Sequence, residues 1–292
     1  MAICNNRTVI ITGAGGGLGR AYAMAFAAEG ANVVVNDIRL EAAEAVVSEV
    51  TAAGGKAIAN NGDITTMAGA QSIIDAAVAA YGEVHVLVNN AGILRDRMFV
   101  SLTEDDWDQV MRVHLKGHFC LANLLGKRWR DASKAGNKID ARIINTSSGA
   151  GLQGSIGQSN YAAAKGGIAT LTLVQAAEMG RYGITANALA PAARTAMTEA
   201  GMPDMVKAPD DGSFDGWAAE NVAPLVVWLG SSQSAHVTGK MFESQGGRIS
   251  IGDGWRTDAT RDKGARWESA ELGPVIDHLL AEAVPAQRVW GT

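Results

Sequence analysis

Along the first 190 residues, short unbroken apolar runs alternate with longer stretches whose apolar positions recur at helical spacing. Residues 8–12, 33–37, 56–60, 84–89, 142–146 and 184–189 read as strands, the third of them weakly. Between them, Leu18–Glu29, Leu40–Ala53, Met67–Tyr81, Glu104 to about Asp131 and Gln158–Tyr182 read as helices, with Gly30 and Gly82 at closing positions. After Pro191 the rhythm breaks. Residues 192–216 mix Gly, Pro, Asp and Met and read as a mobile loop. Helix resumes over Trp217–Leu229 and strand over Lys240–Ser244. Beyond Arg248 the one clear helix is Pro274–Ala283, in a segment that also holds Trp255, Trp267 and Trp290.

Strands apolar on both faces need cover on both faces, and strand–helix–strand repeats make neighbouring strands parallel. The pattern predicts an α/β fold: a single-domain, Rossmann-type, doubly wound parallel sheet of about seven strands with helices on both faces. With no linker and no internal repeat, residues 1–292 read as one domain, with a core over 5–246 and a C-terminal extension over 247–292. The extension reads as a surface strap or a subunit contact. Residues 131–140 read as a solvated polar loop.

Composition narrows the classes. Of 292 residues, 47% are apolar and 19% charged, which is globular, and the net charge of −5 disfavours nucleic acid and anionic lipid as partners. No apolar run reaches the roughly 20 residues that span a bilayer, and residues 1–7 lack the pattern of a secretory signal. Only Cys4 and Cys120 are present, so a disulfide framework is excluded and a cytoplasmic location is expected. Thirty-five glycines against six prolines suit tight strand-to-helix turns.

Chemistry-bearing residues cluster at strand ends. The first strand runs into Thr12-Gly13-Ala14-Gly15-Gly16-Gly17-Leu18-Gly19-Arg20. Arg20 stands where the general dinucleotide fingerprint wants Gly or Ala. The physical task is still met: Gly13, Gly15, Gly17 and Gly19 allow close backbone approach to a pyrophosphate, and Leu18 opens a helix whose N-terminus faces that charge. Asp37 ends the second strand, where a carboxylate accepts bonds from the adenine ribose of NAD and repels the extra phosphate of NADP. Arg39 is the competing signal, and Asp37 also reads as a cap of the next helix. Asp63 and Ile64 follow the third strand, as an adenine contact or a turn. Asn90, Ala91 and Gly92 close the fourth, small enough to leave room for a cofactor. Tyr161 and Lys165 share a helix face, with Ser148 at the end of the preceding strand. A tyrosine of ordinary pKa near 10 is a poor base at neutral pH. A neighbouring ammonium and an oxidised nicotinamide are expected to lower it, and a serine hydroxyl can hold the reacting oxygen. His114 and His118 are spaced to share a metal, but no third ligand is suggested, so no metal is expected.

These motifs together resemble the short-chain dehydrogenase/reductase family, over about residues 5–246. The resemblance rests on the glycine turn, Asn89-Asn90-Ala91-Gly92, Ser148, Tyr161-x3-Lys165 and Asn187-Ala188-Leu189-Ala190-Pro191. It implies Tyr161 as general acid/base, Ser148 as holder of the substrate oxygen and Lys165 on the nicotinamide ribose. Pro191-Ala192 departs from the usual Pro-Gly, and Thr195-Ala196-Met197 is similar to the family's Thr-x-Met, whose threonine contacts the carboxamide. Where the family often places a catalytic asparagine in the middle helix, this chain has His114, in Val113-His114-Leu115-Lys116-Gly117. That version, with residues 223–229, 239–243 and 254–257, resembles the dehydrogenase domain of peroxisomal multifunctional enzyme type 2 and its bacterial relatives. The resemblance implies NAD-dependent oxidation of a secondary alcohol to a ketone, on a 3-hydroxyacyl-CoA or hydroxysteroid. An NADPH-dependent ketone reductase and a non-catalytic dinucleotide sensor are the alternatives. It also implies a homotetramer, as do the apolar positions around the helices 104–131 and 158–182.

Overall fold

The computed structural model describes residues 2–201, 203–252, 259–268, 271–285 and 287–291. The Gly254-Trp255-Arg256-Thr257 motif lies outside them. Six strands and their helices follow the sequence pattern: β1 Thr8–Thr12, α1 Gly17–Ala28, β2 Asn32–Asn36, α2 Leu40–Ala52, β3 Lys56–Asn60, α3 Met67–Tyr81, β4 Val86–Asn89, α4 Glu104–Met111, α5 Gly117–Lys134, β5 Ala141–Thr146, α6 Gly149–Gln153, α7 Ser159–Met179 and β6 Ile184–Ala192. Then come α8 Ala196–Gly201, α9 Ala223–Gly230, β7 Met241–Gln245, β8 Arg248–Gly252 and α10 Leu272–Glu282.

The eight strands among the described residues form one sheet in the order β3-β2-β1-β4-β5-β6-β7-β8, parallel except for the β7–β8 pair. Because side chains alternate across a strand, neighbouring residues serve different cores. Val9 and Ile11 join Phe26, Val46 and Val226 under α1, α2 and α9, whereas Ile10 joins Ile73 and Leu121 under α3 and α5. At their amino ends the strands are tied by ion pairs. Asp140 accepts from Arg7 Nη1 at 2.7 Å and also pairs with Arg142, which is fully buried and donates to Ser231 O at 3.0 Å.

The departures from the pattern have identifiable causes. The helix expected from Glu104 to Asp131 is broken at Arg112–Lys116 by a π-helical turn, in which the Gly117 N–H reaches back five residues to Arg112 O. Residues 192–216 are not all loop, since α8 lies within them. The helix expected from Trp217 starts at Ala223, with Pro224 in its first turn, where a missing N–H costs nothing. An eighth strand joins the seven expected: Gly246-Gly247 turns the chain back on itself, and β8 pairs antiparallel with β7. The sheet therefore runs past residue 246.

Candidate active site

Strand order reverses between β1 and β4, and ligands of such sheets bind in the crevice beyond the carboxyl ends of those strands. Both ends carry the expected residues. Gly13 has φ of +60°, and a Cβ there would lie 2.7 Å from Ala91 Cα, so the two turns meet backbone to backbone. Asn90 ties them further, donating from Nδ2 to Thr12 O at 2.9 Å and Gly13 O at 3.2 Å. Thr12 Oγ1 accepts from the N–H groups of Asn90 and Ala91 at 2.9 and 3.1 Å. A Cβ on Gly19 would lie 2.4 Å from Gly13 O, so α1 can start this close to the turn only with glycine there. Leu18 packs against the first core. The N-terminus of α1 has no side-chain cap.

Asp37 is buried at the end of β2. Its Oδ2 accepts from Gly15 N–H at 3.1 Å and its Oδ1 from Arg39 N–H at 3.0 Å. The residue at the cap position of α2 is Arg39, whose exposed guanidinium reaches back to Asp37 at 3.4 Å. Asp63 accepts from Thr65 N–H at 2.8 Å, which is turn geometry. Ile64 packs into the second core, and a Cβ on Gly117 would lie 2.8 Å from it. Pro191 lies in β6 opposite Ser244, and Thr195 sits beside the glycine turn, 3.4 Å from the place of a Cβ on Gly17.

The structure brings Ser148, Tyr161, Lys165 and His114 together. Lys165 is buried and donates from Nζ to Thr146 O at 2.6 Å, and Nζ lies 5.5 Å from the centre of the Tyr161 ring. Burial pushes its ammonium down to about 7. Burial also raises the Tyr161 phenol, and a hydrogen bond from Ser148 draws it only part of the way back. The expected lowering included the charge of an oxidised nicotinamide; without that charge, removal from water is the larger influence on the phenol. His114 stands edge-on to Tyr161, ring centres 5.3 Å apart, and its Nε2 lies 2.7 Å from Ile93 O. Burial, then the Lys165 charge, push it down to about 3, so the ring is neutral near pH 7. His118 is buried nearby and lowered for the same two reasons. Among the described residues, no three His, Cys, Asp or Glu side chains are grouped to hold a metal.

Two supporting residues escaped the sequence reading. Asn145 donates to Thr172 Oγ1 at 2.9 Å and Gln175 Oε1 at 2.8 Å, and accepts from Asn89 Nδ2 at 3.0 Å, locking β4 and β5 to α7. Asn160 accepts from the Tyr161 N–H at 2.8 Å and donates to Arg95 O at 3.1 Å, fixing the start of α7. The available signal for the first was polar: like Asn36 and Asn89, Asn145 stands in the last two positions of its strand.

The family model for short chain dehydrogenases matches residues 7–205. The chain belongs to the short-chain dehydrogenase family. It is 40% identical to the hydroxyacyl-CoA dehydrogenase ChsB1 of Mycobacterium tuberculosis, over 99% of this chain and 93% of that one. It is 41% identical to peroxisomal multifunctional enzyme type 2 of Mus musculus, over 93% of this chain but only 34% of the mouse protein. The crystal structure of a short chain dehydrogenase from Mycobacterium avium superposes with a TM-score of 0.91 at 53% identity, over 99% of this chain and 100% of that one. This short-chain dehydrogenase is an oxidoreductase acting on CH–OH groups, and its family works with a nicotinamide dinucleotide. The residues at the switch point fit that group. The first-turn N–H groups of α1 have no side-chain cap, and a Cβ on Gly16 would meet nothing within 4 Å, leaving room for a pyrophosphate. No helix among the described residues is long and apolar enough to cross a membrane.

Proposed function

We propose that this enzyme oxidises the secondary alcohol of a 3-hydroxyacyl-CoA to the ketone, using NAD. The observation that carries the proposal is the convergence of Ser148, Tyr161 and the buried Lys165 beside the glycine turn. Bound NAD supplies a hydride acceptor, so that alcohol and NAD give ketone, NADH and a proton. The Ser148 hydroxyl holds the substrate oxygen; as the phenolate, which the charge of bound oxidised nicotinamide would favour, Tyr161 takes the alcohol proton, and Lys165 lies next in line to pass it on. Neutral His114 anchors the segment at Ile93 and bears on the Tyr161 ring.

Asp37 supports NAD over NADP. Its carboxylate faces the turn at Gly15, where the added phosphate of NADP would meet negative charge, and Arg39 is engaged with that carboxylate. On this reading Asp63 and Ile64 are assigned to the adenine side, and Asn90, Ala91, Gly92, Pro191 and Thr195 to the nicotinamide side. The thioester class is supported by the relative named for hydroxyacyl-CoA and by the exposed apolar Met98, Phe99 and Val100, which follow Arg97 at the rim. Turnover of 3-hydroxyacyl-CoA, hydroxysteroid and simple secondary alcohols with NAD and with NADP, followed by reduced-cofactor absorbance, tests the reading. A preference for NADP, or steroid oxidation without thioester oxidation, overturns it.

The enzyme is further proposed to be a homotetramer. Phe119 on α5 and Val174 on α7 are exposed in a shallow groove that Met111, Leu115 and Leu171 also line. A monomer mass in light scattering at micromolar concentration overturns this.

A further inference from the structure

The last described residues return to the rim of the cleft. Ile156 N–H donates to Trp290 O at 2.9 Å, and Trp290 N–H donates to Gly154 O at 3.3 Å. Ser155 and Trp290 form a parallel bridge. The same stretch is held on its far side by the loop after β4. There Arg97 N–H donates to Gly157 O at 2.8 Å, and Gln158 Nε2 donates to Asp96 Oδ2 at 2.7 Å. Three segments remote in sequence therefore meet at residues 154–158.

The Trp290 ring crosses this rim toward the catalytic serine. A Cβ on Gly149 would lie 2.7 Å from indole atoms Cη2 and Cζ2, so glycine alone lets the ring press on the backbone next to Ser148. Ser148 Oγ accepts from Ala150 N–H at 3.2 Å within the same turn. A Cβ on Gly154 would meet Val289 at 3.5 Å, and one on Gly291 would meet Ile156 at 3.3 Å, so the tail is seated on both sides of the indole. Yet Trp290 keeps 49% of its surface exposed. The ring meets the chain one residue from the hydroxyl assigned to the substrate oxygen, and half of the residue's surface is not taken up by that docking. A flat, rigid, half-exposed apolar surface in that position suits an alkyl or alicyclic group.

Resting on the oxidation of secondary alcohols proposed above, we infer that Trp290 is a specificity-determining residue. Its indole forms the wall against which the apolar group next to the carbinol carbon packs. The tail thus selects for substrate size without touching the cofactor.

The test compares wild type with Trp290→Ala and Trp290→Phe on two series: 3-hydroxybutyryl-CoA against 3-hydroxydecanoyl-CoA, and butan-2-ol against decan-2-ol. Trp290→Ala lowers kcat/KM for the longer member about tenfold, the effect of withdrawing roughly 50–60 Å2 of apolar contact. The shorter member changes less than about twofold, Trp290→Phe recovers most of the loss, and NAD dissociation is unchanged. An equal loss on both members makes the tail a prop for the Ser148 turn and overturns the inference, as does no loss on either. Wild-type turnover of each series judges the functional reading separately. If only the simple alcohols react, the thioester reading fails and Trp290 is judged on those. If neither series reacts, both fall.

Discussion

His114 makes the protein acid-sensitive in a window where carboxylates contribute little. Its imidazole falls from 6.5 to about 3 on folding, through burial first and the Lys165 charge second. A lowered histidine contributes stability that is complete above the unfolded value of 6.5 and is lost as pH falls below it, because only the unfolded ring takes the proton. At pH 5 the unfolded ring is roughly 1.5 pH units below its own pKa while the folded ring stays neutral. At about 1.4 kcal/mol per unit this removes about 2 kcal/mol. His118 is lowered in the same direction, by burial first and the Lys165 charge second, and adds to the loss. His114→Asn keeps a side chain able to bond Ile93 but cannot titrate. The variant should therefore lose about 2 kcal/mol less than wild type between pH 7.5 and pH 5 in denaturant unfolding, and part of the sensitivity should remain through His118. It should also stay substantially active at pH 7.5, whereas His114→Ala, which opens a void beside Tyr161, should lose more. Identical pH dependence of stability in wild type and His114→Asn would refute the assignment of a neutral buried ring.

Tyr161→Phe keeps the ring that packs against His114 but has no transferable proton. Turnover should fall by at least about 100-fold with NAD binding nearly intact, as read by kinetics and by calorimetric titration. Asp37→Ala combined with Ile38→Arg should move the ratio of NAD to NADP kcat/KM toward NADP, and an unchanged ratio would remove Asp37 from the ribose site. Asp140→Asn should destabilise by about 2 kcal/mol in denaturant unfolding. It leaves Arg142, 1% exposed, without its carboxylate, and the full cost of breaking a buried pair is discounted because Asp140 itself is 37% exposed. Burial alone would raise the Asp140 carboxyl, but the Arg7 hydrogen bond and the Arg142 charge outweigh it and hold it low. The contribution is therefore present above the ordinary carboxylate range and is lost as pH falls through the lowered value.

The cofactor half of the site was legible because its chemistry is local. A glycine turn, a carboxylate at a strand end and a Tyr-x3-Lys pair each sit within a few residues, and the strand order alone brings them together. The substrate half was not legible, because Trp290 reaches Gly149 from the far end of the chain and no period or motif links the two. β8 lay between these cases. Gly246-Gly247 flanked by β7 and by Arg248-Ile249-Ser250-Ile251 is a two-residue hairpin signal, with Gly246 at φ of +52°. It was hidden because it follows a segment whose rhythm had already broken.

The π-helical turn shows a deeper limit and resolves it. The inserted residue shifts the apolar phase by one position only, which a window over the whole of Glu104–Asp131 averages away, so periodicity reads a straight helix. The signal lies instead in a partner. A Cβ on Gly92 would lie 2.4 Å from His114 Cε1, so a ring at 114 requires glycine at 92. The end of β4 and the π turn are thus a matched pair, joined by Nε2 of His114 at Ile93. From Ile93 the chain runs four residues to Arg97, which holds the rim at Gly157. The histidine that bears on Tyr161 therefore also anchors the loop bordering the substrate cleft. A substitution at Gly92 should disturb substrate selection as well as cofactor binding, although residue 92 lies at the cofactor end of the site.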